Sequence, residues 1–374
     1  MPLMNIVIAM DSFKGSLSSL EAADAVREGI LRAHPKACII IHPLADGGEG
    51  TVDALIAGLD AERTEAEVSG PLGEPVRAVY GIKGDLAVME MAAAAGLPLV
   101  PLEKRDGVSA STYGVGEMIA HALKRGCRRF VMGIGGSATT DGGMGMLQAL
   151  GFSFRDSEGK EAGRGAAALG SVASVSDEAV MPELREAEFS IACDVNNPLC
   201  GPRGAAFVYG PQKGLRTLES TDRDMASYAR ICAAFTGRDM AEQAGAGAAG
   251  GLGFAFLTFT RSRLHSGVDL VLDTVGIDEA LDGADIAVTG EGRIDAQTVM
   301  GKAPGGVARR AKAHGCRVVA FAGSVTPDAR AVNEQGIDAF FPIVRTPSTL
   351  EEALNKDNAR SNLINTAEQV FRLL

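Results

Sequence analysis

The sequence contains no tryptophan and only four tyrosines among its 374 residues. Few aromatic platforms are therefore left for stacking unpaired bases, which argues against a single-strand nucleic-acid binder. Any basic stripe is missing as well. The formal net charge is −11, a poor match for nucleic acid or an anionic membrane surface. The six cysteines include no CxxC pair, and Cys193 and Cys200 are too widely spaced for a typical zinc knuckle. Reduced, mostly buried thiols of a cytoplasmic protein are the expectation. The N-terminal run MNIVIAM meets Asp11 after a few apolar residues and has no basic leader, so it reads as neither a signal peptide nor a membrane span. A P-loop of the form GxxxxGK[ST] is absent, a GxSxG elbow is absent, and none of the five histidines stands in a metal-ligand pattern. These absences set aside a P-loop kinase and hydrolase chemistry. They leave a soluble cytoplasmic protein with no nucleic-acid or membrane partner.

Glycine, by contrast, is abundant. The 47 glycines are roughly twice what an average usage of about 7% would give, and they cluster in short runs without a period. The densest run is GIGGSATTDGGMGM (133–146). Glycine loses more conformational freedom on folding than any other residue, so this density implies that something approaches the backbone closely. The surrounding residues read as strand RRFVMGI (128–134), glycine loop, then a helix through Met146–Leu150. Such a loop aims N–H groups at an anion, and a following helix N-terminus adds about half a positive charge. Ser137, Thr139 and Thr140 supply further donors, and Asp141 is placed to hold a metal. A polyphosphate is the expected visitor. Gly133, Gly135 and Ala138 also fit a loose GxGxxA dinucleotide fingerprint, with Asp156 about 20 residues on. That acid belongs to the turn-like RDSEGKEAGRG, and a second match at Gly245, Gly247 and Gly250 follows no evident strand.

A chain of this length predicts two domains. NIVIAM (5–10) suits a strand buried on both faces. A helix then opens with Ser18 and Glu21 as a capping box and runs to about His34, where Pro35 closes it before the strand ACIIIHPL (37–44). The C-terminal part continues the alternation. Strands ADIAVTG (284–290), CRVVAFAGS (316–324) and IDAFFPIV (337–344) alternate with helices at about 304–314, 327–335 and 349–373. Two strands from one end and three from the other make one α/β domain, a flavodoxin-like doubly wound parallel sheet of order 2-1-3-4-5. The expected domains are 1–70 with 284–374, discontinuous, and an inserted α/β domain over 71–283 that carries the glycine loop.

In a doubly wound sheet ligands sit beyond the carboxyl ends of the strands, at the point where strand order reverses. The loops predicted to border that point are DSFKGS (11–16) and TGEGRIDAQTVMGK (289–302), flanked by ADGGEGT (45–51) and AGS (322–324). They bring the acids Asp11, Asp46, Glu49, Glu291 and Asp295 and the cations Lys14, Arg293 and Lys302. A carboxylate about 4 Å from a phosphate is repelled by roughly 4 kcal/mol at an effective dielectric near 20. Acids beside phosphates thus require a divalent cation between them, or face a hydroxyl as a base; magnesium, held by one or two carboxylates and substrate phosphates, fits. In the inserted part, Asp194 at a strand end, with Asn196 and Asn197 beside it, is placed to orient a hydroxylated substrate, and Lys213 follows a GPQKG turn.

The segments IAMDSFKGSLSS, PLADGGEGT, TYGVGE, GIGGSATTDGGMGML, DVNNPLCGPRGA, YGPQKG and VTGEGRIDAQTVMGKAPGGVA resemble, in order from residue 5 to about 324, the type I glycerate kinases of bacteria. One departure is Thr140, where the family is expected to carry Asn; a hydrogen-bonding side chain is kept. The resemblance implies ATP-dependent phosphorylation of D-glycerate, usually at the 2-hydroxyl to give 2-phosphoglycerate, in the breakdown of sugar acids or glyoxylate. It also implies a two-domain α/β architecture with a flavodoxin-like part. Residue chemistry then assigns expected roles. Gly135, Gly136, Ser137, Thr139 and Thr140 cradle the ATP phosphates. Asp46 and Asp141 hold magnesium, with Glu291 or Asp295 close by. Lys14 and Arg293 pair with the glycerate carboxylate, and Ser12 and Asn196 complete the substrate contacts. Asp194 accepts the hydroxyl proton, with Asp295 second, and Lys302 or Lys213 neutralises the transferred phosphoryl group. A homo-oligomer is compatible with the sequence. A nicotinamide-dependent hydroxy-acid dehydrogenase and a non-catalytic hydroxy-acid or nucleotide sensor are the alternatives.

Overall fold

The computed structural model describes residues 4–45, 48, 50–299 and 301–374. In chain order its strands are β1 (Asn5–Met10), β2 (Cys38–Ile41), β3 (Glu62–Ser69), β4 (Pro75–Lys83), β5 (Leu86–Glu90), β6 (Arg129–Gly133), β7 (Ser153–Arg155) and β8 (Ser174–Ser176). They continue with β9 (Glu188–Ala192), β10 (Arg261–His265), β11 (Ile286–Ile294), β12 (Arg317–Val325) and β13 (Ala339–Pro342). The chain divides into two compact units, one of Met1–Asp46, Asp53–Ala61 and Gly267–Leu374, the other of Gly47–Val52 and Glu62–Ser266.

In the first unit the sheet order is β13-β12-β11-β1-β2, with every neighbour pair parallel. Numbered within the unit this is 2-1-3-4-5, the doubly wound order expected from the sequence. Central β1 buries every residue after Asn5, as a two-sided apolar strand must, whereas edge strand β2 leaves Ile40 exposed. Helix Ser19–Ala33 starts at the expected capping box: Glu21 N donates to Ser18 Oγ at 3.2 Å, and Ser18 N donates to Glu21 Oε2 at 3.0 Å. It packs so closely on helix Lys356–Phe371 that a Cβ on Gly29 would lie 2.4 Å from the Ile364 carbonyl oxygen. Two expected helices differ in form. Residues Pro327–Gln335 are a 3₁₀ run, and the last helix is broken into Leu350–Leu354 and Lys356–Phe371. The break is at Asn355, whose side chain accepts from the amides of Asp357 and Asn358 and so starts a new helix rather than continuing the old one.

The second unit holds a six-stranded mixed sheet of order β10-β9-β6-β5-β4-β3, with a separate β7–β8 ribbon. β3, β4 and β5 are antiparallel neighbours; β5, β6, β9 and β10 run parallel. Two segments group differently from the expected boundaries at 70/71 and 283/284. Strand β3 joins this sheet because Thr64, Ala66 and Val68 bury one face against the core while it pairs along its length with β4. Helices Gly267–Thr274 and Ile277–Leu281 join the first unit, where a Cβ on Gly306 of helix Ala303–Ala313 would sit 2.3 Å from Val268. Across the sheet Phe130 and Phe189 stack with ring centroids 4.6 Å apart, and Phe256 of helix Leu252–Phe259 packs on Phe189.

Candidate functional site

Within the second unit, β6 delivers the glycine run as expected, but most of that glycine serves the protein itself. The run lies against the other glycine-rich segment. A Cβ on Gly250 would come 2.0 Å from the Thr139 carbonyl oxygen, and one on Gly251 would come 2.6 Å from the Gly142 Cα. Gly142 N donates to Gly250 O at 2.9 Å, and Gly142, Gly143, Gly250 and Gly251 all have positive φ. Two backbones thus approach each other where no side chain fits. The fingerprint at Gly245, Gly247 and Gly250 is this packing partner, not a second cofactor loop.

Ile134 and the stretch Ser137–Met144 are buried, while Gly135 and Gly136 are exposed. Bonds from Leu97 N to Gly136 O (2.8 Å) and from Ala138 N to Ala95 O (2.9 Å) fix the tip from one side. Among the described residues, the amides of Gly135 and Gly136 donate to no backbone carbonyl. Thr139 and Thr140 are fully buried, and neither hydroxyl has a hydrogen-bond partner among the described residues.

The following helix, Met144–Ala149, does not supply the expected anion site. It is six residues long, and its leading amides are already used: Gly143 and Gly145 donate to Asp141, and Met146 donates to Thr112 Oγ1 at 2.9 Å. Asp141 is correspondingly an internal strut and not an open metal ligand. It has no exposed surface. Its Oδ2 accepts from Thr112 N (2.7 Å), Thr112 Oγ1 (2.9 Å), Ser111 Oγ (3.3 Å) and Gly145 N (3.3 Å), and its Oδ1 accepts from Gly143 N (3.2 Å). Burial pushes its carboxyl above the ordinary value, against the pull of these donors.

Lys213 enters from below. It is 2% exposed, and its Nζ donates to Ser137 Oγ at 2.7 Å and to Thr139 O at 2.6 Å. Burial lowers its pKa to about 7, partly opposed by the Asp141 charge. Its turn is closed by Gly214 in the left-handed region, where a Cβ would strike the Arg105 carbonyl oxygen at 2.3 Å. The lysine therefore braces the loop instead of standing at its mouth. Asp194, just past β9, is exposed, as is Asn196. Asn197 is a loop builder: it donates to Arg203 O at 2.7 Å and accepts from the Tyr209 hydroxyl at 2.6 Å.

Within the first unit, the other candidates gather at the carboxyl ends of β1 and β11; β11 runs past the expected end at Gly290 to Ile294, so Glu291 and Arg293 are among its last paired residues rather than loop residues. Ser12 N donates to Asp11 Oδ1 at 2.6 Å, and Asp11 N to Gly290 O at 2.9 Å. A Cβ on Gly292 would lie 3.4 Å from Lys14 N, so the loop bearing exposed Lys14 runs beside the end of β11. There Glu291, 8% exposed, accepts from Thr298 Oγ1 at 2.7 Å and faces Lys302 Nζ at 3.4 Å. The same ammonium lies 3.7 Å from Asp295 Oδ1, and Arg293 stands 3.8 Å from Asp295 Oδ2 with most of its side chain in solvent. Burial raises the Glu291 carboxyl above its ordinary range, and the Thr298 and Lys302 contacts pull it back. Asp46 and Glu49 lie outside the described residues. Among the described residues, no three His, Cys, Asp or Glu side chains converge as a metal cage. Glu291 and Asp295 are instead a pair of carboxylates that meet at the Lys302 ammonium.

Sequence reasoning missed Thr298, Thr112 and Ser111. Nothing in their spacing marks them, because each acts through a fold-made contact with an acid. Asp156, the acid of the dinucleotide fingerprint, directly follows β7 and accepts from the amides of Glu158 and Lys160 in a tight turn, on the antiparallel β7–β8 ribbon and not at the end of a strand of the six-stranded sheet. That leaves the dehydrogenase reading without its ribose-binding group. Among the described residues no helix is long and apolar enough to cross a membrane.

The model of the "Glycerate kinase family" matches residues 6–374. A Bacillus subtilis (strain 168) protein named glycerate kinase is 46% identical over 98% of this chain and 97% of its own length. An Escherichia coli K12 protein named glycerate 2-kinase is 44% identical over 94% of this chain and 93% of its own. A crystal structure from Salmonella typhimurium LT2, assigned as glycerate kinase 2, superposes with a TM-score of 0.91 at 43% identity, covering 99% of this chain and 98% of that one.

Proposed function

This chain belongs to the glycerate kinase family, and from that premise we infer that it transfers the γ-phosphoryl group of ATP to D-glycerate with magnesium as cofactor. The 2-hydroxyl is the proposed acceptor, giving 2-phosphoglycerate, in keeping with the relative named glycerate 2-kinase. The observation that carries the nucleotide assignment is the exposed Gly135–Gly136 tip on a loop otherwise buried and braced. Two amides without backbone acceptors, free of side chains, suit phosphate oxygens.

Roles follow from the chemistry of each cluster. Gly135 and Gly136 receive the phosphates, with Ser137, Thr139 and Thr140 shaping the loop behind them. Lys213 and Asp141 brace that loop rather than meeting substrate. Glu291 and Asp295 are the proposed carboxylates for magnesium, which when bound neutralises phosphate charge. In the first unit Lys14 and Arg293, with Ser12, are the proposed partners of the glycerate carboxylate; in the second unit Asn196 is a separate candidate contact for a substrate hydroxyl. In the transfer, the hydroxyl oxygen bonds to the γ-phosphorus as the bond to the bridging oxygen breaks. ADP leaves with that electron pair, and Asp194 takes the hydroxyl proton. Lys302 offsets charge on the phosphoryl group in flight. Such a reaction rests mostly on positioning and charge stabilisation.

The test is ATP consumption by the purified protein with D-glycerate and magnesium, each omitted in turn, and phosphorus NMR of the product. Turnover requiring all three and a 2-phosphoglycerate signal are expected. A 3-phosphoglycerate signal overturns the acceptor assignment, and no glycerate-dependent turnover overturns the activity.

A further inference from the structure

The two acids proposed for magnesium are not held by each other or by their backbone alone. Thr298, fully buried, stands between them. Its hydroxyl donates to Glu291 Oε1 at 2.7 Å and accepts from Asp295 N at 3.0 Å. Its own amide donates to Asp295 O at 3.1 Å, which closes the turn that carries Asp295, and Gln297 N fixes Asp295 Oδ1 at 2.9 Å. With Oε1 tied to Thr298, the other Glu291 oxygen is left pointing at Lys302 Nζ, 3.4 Å away, and Asp295 Oδ1 faces the same ammonium at 3.7 Å. Two carboxylate oxygens thus converge on one cationic point, and a single hydroxyl sets the geometry of both.

We infer that Thr298 is a positioning residue that acts through Glu291 and Asp295, holding the pair in the arrangement that takes a divalent cation together with nucleotide phosphate. This rests on the proposed role of that pair. A buried hydroxyl that both donates and accepts is fully used, so removing it leaves a carboxylate oxygen and an amide unsatisfied at once. Groups that orient ligating carboxylates typically change metal affinity or activity by about 10–100-fold when lost.

The experiment compares Thr298→Val, Thr298→Ala and Thr298→Ser in the full-length protein. It reads the magnesium concentration for half-maximal turnover at saturating ATP and glycerate, and separately the rise in melting temperature that magnesium gives in the presence of ADP, where no turnover occurs. Thr298→Val and Thr298→Ala are expected to raise the magnesium requirement by about tenfold or more and to diminish the melting shift. Thr298→Ser, which restores the hydroxyl, should recover both. Adding Glu291→Gln to Thr298→Val should produce little further change, since both act on one unit. A normal magnesium requirement in the Val and Ala variants, with Glu291→Gln impaired, overturns the inference while leaving the acids' role intact. An unimpaired Glu291→Gln overturns the reading of the acids themselves. Should Thr298→Val fail to fold, the Ala and Ser pair still separates the outcomes.

Discussion

Lys213 donates its side-chain nitrogen to Ser137 Oγ at 2.7 Å from beneath a loop whose exposed tip is Gly135–Gly136. Burial has lowered this ammonium from its ordinary 10.5 to about 7. Unfolded, the side chain keeps its proton up to about pH 10.5; folded, it has lost it above about 7. Folding therefore releases a proton between those values, and stability should rise with pH across the window and be flat below it. Chemical denaturation at several pH values should show this rise, and Lys213→Met should remove it. A phosphate group at the tip would act in the opposite sense and hold the proton on. ATP binding at pH 8 should then take up close to one proton, seen by calorimetry in buffers of different ionisation enthalpy. No proton uptake in the wild type, or the same uptake in Lys213→Met, counts against the brace lying under the phosphates.

Glycines in one loop should separate by function. Gly250→Ala places a methyl group 2.0 Å from the Thr139 carbonyl oxygen at positive φ, and is expected to destabilise the protein by on the order of 3 kcal/mol. Gly136→Ala meets nothing nearer than Ala92 Cβ at 3.6 Å, so only the strained φ of +72° opposes it, about 1 kcal/mol. The second variant should nevertheless raise the KM for ATP more than the first does in its folded fraction. Melting curves beside initial rates would expose the reverse ranking if it held.

The terminal sheet was legible because its strands are short apolar runs between strong stop signals: Pro35, Gly315 and Gly336 all fall where elements end. The glycine loop was legible as a loop, yet its meaning was not. Sequence shows where side chains are absent but not what comes close, and for Gly142, Gly143, Gly250 and Gly251 the neighbour is another stretch of this chain. Asp141 misled for a related reason. A carboxylate among glycines and hydroxyls has the composition of a metal site, and only Thr112, 29 residues earlier, shows that its oxygens are occupied. Helix Leu218–Thr236 escaped because no capping box marks its start, Ser220 and not Glu or Gln standing three residues after Thr217, although Met225, Tyr228 and Cys232 form its buried side. Thr298 is the counterpart in the terminal unit, a common residue given its role by a strand end and a turn that meet in space.

Asp141→Asn tests strut against ligand. The amide nitrogen must face at least one of the donors Thr112 N, Gly143 N and Gly145 N, leaving donors opposed inside a fully buried site. A loss of about 3 kcal/mol is expected, with the magnesium dependence of the remaining activity unchanged. Urea denaturation and a magnesium titration on the same preparation give both numbers. A shifted magnesium requirement with undiminished stability would restore Asp141 as a metal ligand.

Asp194 is an exposed residue two positions past the end of β9, a central strand paired with both β6 and β10, so the sheet anchors the segment that carries it. A base needs that combination: a fixed origin and an oxygen that a substrate hydroxyl can reach. Asp194→Asn keeps the shape and hydrogen-bonding size of the group but removes its ability to take a proton. General-base contributions run to about 10²–10⁴-fold, so kcat should fall within that range while both KM values change little. A near-normal kcat would remove Asp194 from the chemistry and leave Asp295, the second acid considered for the proton, as the group to replace next.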